Sequence, residues 1–350
     1  MKILRQVLGV DVSQKELVVC LGRLNEDFSI ELYSHRVFAN RESGFKALYK
    51  WLIKNTVSET PLRIVMEATG VYHQKFAHFM KDQNLQVSIV LPNKISNYMR
   101  TLDTKTVTDK TCSEAIARFG LERKLDDWVK PDPTYHKLQQ LTRERDQIIH
   151  DRTMAKNRLH AENNEAFPNE KSIERAKTRI KLLNEQEKEI WKEIKSIIKE
   201  NESVKEEVKR ISTIPGVGEL TAVIILAETN GFELIRNKKQ LTSYAGLDVK
   251  EKQSGTSVKG KAKISKRGNR YLRKAMYLPS LTAVKYNPTH KDLYERLVDK
   301  HAIKMKSFVA VQRKILELSY ILWKNKSIYN PAYEKEKRAA QNDKLSLKLA

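Results

Sequence analysis

Five short apolar runs punctuate the first ninety residues, and two of them end on an acid. The runs are Ile3–Val10, Leu17–Leu24, Ile30–Val37, Arg63–Glu67 and Gln86–Leu91. Runs this short, bounded by polar turns, predict strands rather than helices. The first three follow one another across tight turns, as in an antiparallel meander. The segment His73–Asp82 reads as a helix between the last two, which favours parallel pairing there. Asn40 is expected to cap a further helix from Arg41 to about Lys54. Asp11 closes the first run in Leu8-Gly9-Val10-Asp11, and Glu67 closes the fourth. A buried strand that ends on an acid aims it at the sheet edge, where ligands bind.

The expected class is therefore α/β. Three antiparallel strands followed by parallel βα units form a ribonuclease H-like arrangement. An actin-like ATPase core starts the same way. Thr108 is placed to cap a helix from Asp109 to about Lys124, with Ala115, Ile116 and Phe119 on one face. Asp132 between Pro131 and Pro133 marks a domain boundary.

Beyond it, Leu138, Leu141, Arg145 and Ile148 recur at helical spacing. After a break at Pro168 come Ile173, Ala176, Ile180, Leu183, Glu187, Ile190, Ile194 and Ile197. This heptad-like pattern over 134–210 predicts two long helices, forming a coiled-coil hairpin or pairing with another subunit; a bundle packed on its own domain is the alternative. Residues 211–330 read as a mainly α unit. It opens with Ile214-Pro215-Gly216-Val217-Gly218, a helix-hairpin-helix-like element that could offer N–H groups to a phosphate, or else a tight turn between core helices. The polar residues 331–350 are expected to be disordered. Four segments result: 1–130, 134–210, 211–330 and the tail.

Charge narrows the partners. The chain has 66 Lys and Arg against 43 Asp and Glu, a net charge of +23. Such an excess favours a polyanion, nucleic acid above all, through phosphate neutralisation and counterion release. Two cysteines, Cys20 and Cys112, exclude a disulfide framework and a Cys-rich zinc site. With no 18-residue apolar run and no leader-like start, a soluble intracellular protein without membrane contact is expected.

Asp11, Glu67 and Asp109 form the first chemical constellation. Nucleases of the ribonuclease H type hold two Mg²⁺ ions ~4 Å apart with such acids. The bland alternatives are solvent-facing acids at strand ends and, for Asp109, a helix-terminus acid favoured by the dipole. A fourth acid is expected one helical turn after Asp109, but Cys112 and Ser113 stand there. A cysteine is a poor ligand for a hard cation. Glu114 faces elsewhere on an ideal helix, and Asp103 is another candidate stand-in.

The second constellation is densely basic. Lys252, Lys259, Lys261, Lys263, Lys266, Arg267, Arg270 and Arg273 surround Gln253-Ser254-Gly255, and they are candidate nucleic-acid contacts. Ser254 could bind a phosphate as a neutral donor or attack it as a nucleophile. Spacing alone favours binding.

Taken in order, these motifs resemble one family. Gly9-Val10-Asp11-Val12-Ser13 is similar to its opening strand, and Met66-Glu67-Ala68-Thr69-Gly70-Val71-Tyr72 to its second acidic motif. Thr108-Asp109-Lys110 resembles its third. Ile214–Gly218, Tyr244-Ala245-Gly246-Leu247, Gln253–Gly255, Ile264–Asn269 and Leu272-Arg273 resemble its C-terminal half. The family is the DEDD transposases of bacterial insertion sequences, the IS-one-ten group with its Piv-type DNA invertases. The resemblance covers roughly 6–325. It implies a RuvC-like nuclease domain, a coiled coil and a C-terminal transposase domain. It implies Mg²⁺-dependent recombination of double-stranded DNA in which the acids cooperate with a serine that becomes joined to DNA; by motif that serine is Ser254. It also implies homodimers or homotetramers in the bacterial cytoplasm, associated with the nucleoid. Some members use a structured bridge RNA. The departure is Cys112, which makes the pattern Asp-Glu-Asp-Cys. Three other readings compete: a structure-specific nuclease that cuts by water, a non-catalytic nucleic-acid-binding protein, and a sugar-kinase-like ATPase. The last lacks a second glycine-rich Asp-x-Gly loop.

Overall fold

The protein is described by a computed structural model. It describes residues 2–68, 70–102, 105–251, 253–254, 258–260 and 262–333, with backbone alone at 253–254 and 258–259. The chain divides into two compact units, Met1–Lys130 and Pro131–Ala350.

The first unit is built on five strands: β1 (Ile3–Val12), β2 (Glu16–Asn25), β3 (Ile30–Ala39), β4 (Leu62–Glu67) and β5 (Gln86–Val90). Their order is β3-β2-β1-β4-β5. The first three pair antiparallel, β4 lies parallel to β1, and β5 lies parallel to β4. This is the strand order expected for a ribonuclease H-like sheet.

Strand alternation sorts the side chains onto two faces. Leu8, Val10, Val12, Ile64 and Met66 pack with Phe45, Leu48, Phe76 and Met80 from α1 (Glu42–Asn55) and α2 (Gln74–Asp82). Val7 and Val65 pack on the other face with Ile95 of α3 (Pro92–Met99) and with Ile116, Ala117 and Leu121 of α4 (Asp109–Glu122).

One local expectation needs correction. Asn40 does not cap α1; the N-cap is Arg41, without a side-chain bond. Asn40 instead donates from Nδ2 to the carbonyls of Ser13 and Tyr72, at 2.7 and 3.1 Å. Tying those two turns wins over the cap. The helix α3 went unread in the sequence, although Pro92 sits at its first turn, a favoured place for proline.

The second unit is mainly helical. Its long helices α5 (Pro133–Asn163) and α6 (Glu170–Glu200) form a hairpin capped by Asp132 and Asn169. Glu187, the polar interruption in the heptads, is held by Arg145 (2.6 Å) and Arg152 of α5. Leu138, Leu141, Ile148, Ile190, Ile194 and Ile198 belong to one core with Val208, Ile225, Leu226 and Ile315. The base of the hairpin thus shares the core of the helices that follow it: α7 (Glu202–Ile211), α8 (Glu219–Thr229), α9 (Lys238–Tyr244), α10 (Arg270–Ala275), α11 (Tyr277–Tyr286), α12 (Pro288–His301) and α13 (Lys304–Lys324). Between α7 and α8, Gly216 has φ +93°, and a Cβ there would stand 2.6 Å from the Pro279 carbonyl oxygen. That glycine serves the close approach of the turn to α11. The expected polar tail lies, from residue 334 on, outside the described residues. Among the described residues no helix is long and apolar enough to cross a membrane.

Candidate active site

Register brings the acids together. The parallel ladder that pairs Val10 with Met66 sets Asp11 and Glu67 side by side at the ends of β1 and β4. By alternation both acids follow Val7 and Val65 onto the α4 face. Two glycines then let α4 lie directly on these strands. A Cβ at Gly9 of β1 would stand 2.4 Å from both the Ser113 carbonyl oxygen and the Ala117 nitrogen. A Cβ at Gly120 of α4 would meet Val65 at 2.8 Å and Val7 at 2.9 Å. The start of α4 is fixed by a capping box: the Thr108 side chain accepts from the Thr111 N–H, and the Thr111 hydroxyl accepts from the Thr108 N–H. Asp109 follows at the first helical position, where the helix dipole favours an acid.

The electrostatics record the convergence. Burial first, then the Asp109 carboxylate, then Glu67 push the Asp11 carboxyl from 3.8 up to about 6, while the Val12 N–H pulls the other way. The Cys112 thiol is raised by burial and then by Asp11, Glu67 and Asp109. It is a neutral side chain facing the acids. Glu114 points away, and its carboxylate meets His35 Nε2 at 3.0 Å. Asp103 lies outside the described residues.

The donor set fits a hard divalent cation: three carboxylates near enough to repel, with that repulsion open to relief by a positive ion. The fit is one of chemistry. Among the described residues no three His, Cys, Asp or Glu side chains are already drawn in to metal-ligating separations.

The serine and the basic residues belong to the second unit. Antiparallel β6 (Val249–Lys250) and β9 (Lys263–Ile264) form one short ladder. Nested within it in sequence, β7 (Gln253–Ser254) and β8 (Val258–Lys259) form another, pairing Ser254 with Val258. The side chains of Ser254 and Lys259, and all of Lys252 and Lys261, lie outside the described residues. Lys263, Lys266, Arg267 and Arg270 are exposed. Arg273 has an internal partner: Nη1 donates to the Ala245 carbonyl at 2.8 Å.

Comparison with known proteins gives these two regions a shared context. A family model described as a transposase matches residues 8–168, and one described as the transposase IS116/IS110/IS902 family matches 208–295. Between them the models take in most of the chain, including both constellations. The chain belongs to the IS116/IS110/IS902 transposase family. This transposase is 26% identical over 314 residues to a pilin gene-inverting protein of Moraxella bovis, covering 89% of this chain and 94% of the relative. It is 23% identical to the transposase for insertion sequence element IS1111A of Coxiella burnetii, over 77% of this chain and 75% of that one. RuvC of T. thermophilus, solved in complex with a Holliday junction substrate, aligns with 33% of this chain and 97% of its own, at 11% identity and TM-score 0.23. The ribonuclease H-like character of the first unit rests on its strand order.

Sequence reasoning missed the buried charge at position 228. Glu228 of α8 has a fully buried side chain, and Arg143 reaches it with Nε at 2.8 Å and Nη2 at 2.7 Å. Asn269, the N-cap of α10, donates to the same carboxylate at 2.6 Å. The signal was an acid closing the apolar run Ala222–Ala227, since a charge there must be paired.

Proposed function

We propose that this transposase recombines double-stranded DNA by phosphoryl transfer, with Asp11, Glu67 and Asp109 holding Mg²⁺ and Ser254 acting as the nucleophile. The observation that carries the reading is the gathering of three carboxylates from β1, β4 and α4, set by strand register and by the close seat of α4; the Asp11 carboxyl is raised by burial first and then by Asp109 and Glu67. The net charge of +23 supports a polyanionic substrate. The exposed Lys263, Lys266, Arg267 and Arg270 would neutralise phosphates near the serine.

When bound, the cations would supply charge neutralisation at the scissile phosphate. The three carboxylates would hold them. In the serine step the Ser254 Oγ–P bond forms, and one sugar ester P–O bond breaks. The serine proton passes to a base, and the departing sugar oxygen takes up a proton from an acid to leave as an alcohol, so no net proton is gained or lost. The ester energy is kept in the protein–DNA bond, so that rejoining to a new end needs no added energy source. The acids and the serine must act on one phosphodiester, within one chain or between two copies. The helical hairpin is the candidate dimerisation element in a homodimer or homotetramer, and a bridge RNA is a candidate guide. Neutral Cys112 at the fourth position leaves the site with three charged ligands.

The test is to incubate end-labelled substrate DNA with the protein and Mg²⁺ and to trap adducts under denaturing conditions. The reading expects a covalent adduct that is absent in Ser254→Ala. Cleavage without any adduct would favour the water-dependent nuclease instead. Co-purifying RNA whose removal abolishes DNA-end selection would support the guide.

A further inference from the structure

The hairpin excursion that carries Ser254 is crossed at its foot by a side-chain brace. Asp248 precedes β6 and Ser265 follows β9, flanking the rung that pairs Val249 with Ile264. The Ser265 N–H donates to the Asp248 carbonyl at 2.8 Å. The Ser265 hydroxyl donates to the Asp248 carboxylate at 2.5 Å. The two strands are therefore bolted together by both backbone and side chain just where they leave the body of the unit.

The foot is tied inward as well. The Arg267 N–H donates to the Ser265 hydroxyl at 3.2 Å, and the Lys266 N–H donates to the Gly246 carbonyl at 3.1 Å. Gly246 (φ +67°) and Gly268 (φ +153°) take conformations that favour glycine, and a Cβ on Gly268 would stand 2.4 Å from the Tyr244 carbonyl oxygen. Asn269 then connects this turn to buried Glu228, and through it to Arg143 of α5.

We propose that Asp248 and Ser265 are positioning residues that fix the direction in which the hairpin presents Ser254. The proposal rests on the reading of Ser254 as nucleophile. Its physical basis is leverage. Ser254 lies five residues beyond Val249, a span of at most ~18 Å. β6 and β9 are the described ends of that span, so a shift at the foot carries into it, and a misplacement of only ~1 Å can cost about 100-fold in rate. Neither brace residue need touch DNA for its loss to slow the chemistry.

The measurement is the single-turnover rate of Ser254–DNA adduct formation at saturating DNA. It is made beside the DNA dissociation constant, the melting temperature and hydrogen exchange at the Lys263 and Ser265 amides, which face the partner strand in this ladder. Asp248→Ala and Ser265→Ala are expected to slow adduct formation at least ~30-fold, with DNA affinity changed less than about threefold. Exchange at the two amides should rise about tenfold. Asp248→Asn keeps an acceptor for the Ser265 hydroxyl and is expected to stay within about threefold of wild type on every readout. Alanine variants as fast as wild type would overturn the proposal. So would a loss that follows DNA affinity or melting alone, and so would an Asp248→Asn variant as slow as Asp248→Ala, which would make Asp248 a base. A wild-type protein with no Ser254-dependent adduct would instead sink the nucleophile assignment; the exchange rates would still decide whether the brace holds the foot.

Discussion

Replacing Asp11 with asparagine should stabilise the metal-free protein at neutral pH. The folded carboxyl titrates near 6 against 3.8 ordinarily, so the folded state favours the protonated form. The penalty is absent below pH 3.8, grows as pH rises between the two values, and is complete above about 6. A shift of that size corresponds to about 3 kcal/mol. Asp11 is only partly buried, so solvent screening reduces the expectation to about 1–2 kcal/mol. The assay is urea unfolding between pH 4 and 8 in a chelator, read by hydrogen exchange at β1 and β4 amides so that the second unit does not blur the transition. Asp11→Asn should be the more stable protein by about 1–2 kcal/mol at pH 7.5, and the gap should close towards pH 4. Because burial is the largest single cause, part of the gap should survive 1 M salt. Saturating Mg²⁺ should reverse the order, since ligand at about a hundredfold its dissociation constant adds about 2.7 kcal/mol to wild type alone. A wild type at least as stable as the variant in chelator at pH 7.5, or a gap independent of pH, would refute the reasoning.

Other perturbations test the scaffold. Gly9→Ala puts a methyl 2.4 Å from α4 backbone atoms; it should cost about 1–3 kcal/mol in urea unfolding and weaken Mg²⁺ binding by displacing Asp109. Glu228→Ala leaves Arg143 and Asn269 without their shared acceptor; a loss of about 3 kcal/mol is expected by thermal or urea unfolding, and a neutral result would count against the network. Cys112→Asp adds a fourth carboxylate beside three others. It should tighten Mg²⁺ binding in calorimetry and lower metal-free stability. Recombination by wild type equal to or above that of Cys112→Asp would show that the fourth acid is not needed here.

The sheet was legible because its signals are local. Alternating apolar residues and short polar turns place all five strands within about two residues of their observed ends, and the acid at the close of β1 and of β4 is visible in the string itself. Asp109 was expected in the same set, but the contact that carries it there was not visible. It depends on Gly9 and Gly120 letting α4 settle on β1 and β4, a contact between segments about a hundred residues apart. Asn40 misled because capping propensity is weaker than two hydrogen bonds to distant turns. The heptads of α5 and α6 announced long helices, yet periodicity alone could not say that Ile190, Ile194 and Ile198 join the core built by α7, α8 and α13. The Asp248–Ser265 brace escaped notice for the same reason: both residues are common turn formers, and only the pairing of β6 with β9 makes them neighbours.

Cation binding by the three acids tests the account most directly. Mn²⁺, a spectroscopic substitute for Mg²⁺, can be titrated into the 350-residue chain and followed by electron paramagnetic resonance, with Asp11→Asn, Glu67→Gln and Asp109→Asn in parallel. Saturable binding in wild type, weakened at least tenfold by each single replacement, is the predicted result. Wild-type affinity in any two of the three variants would contradict a shared site.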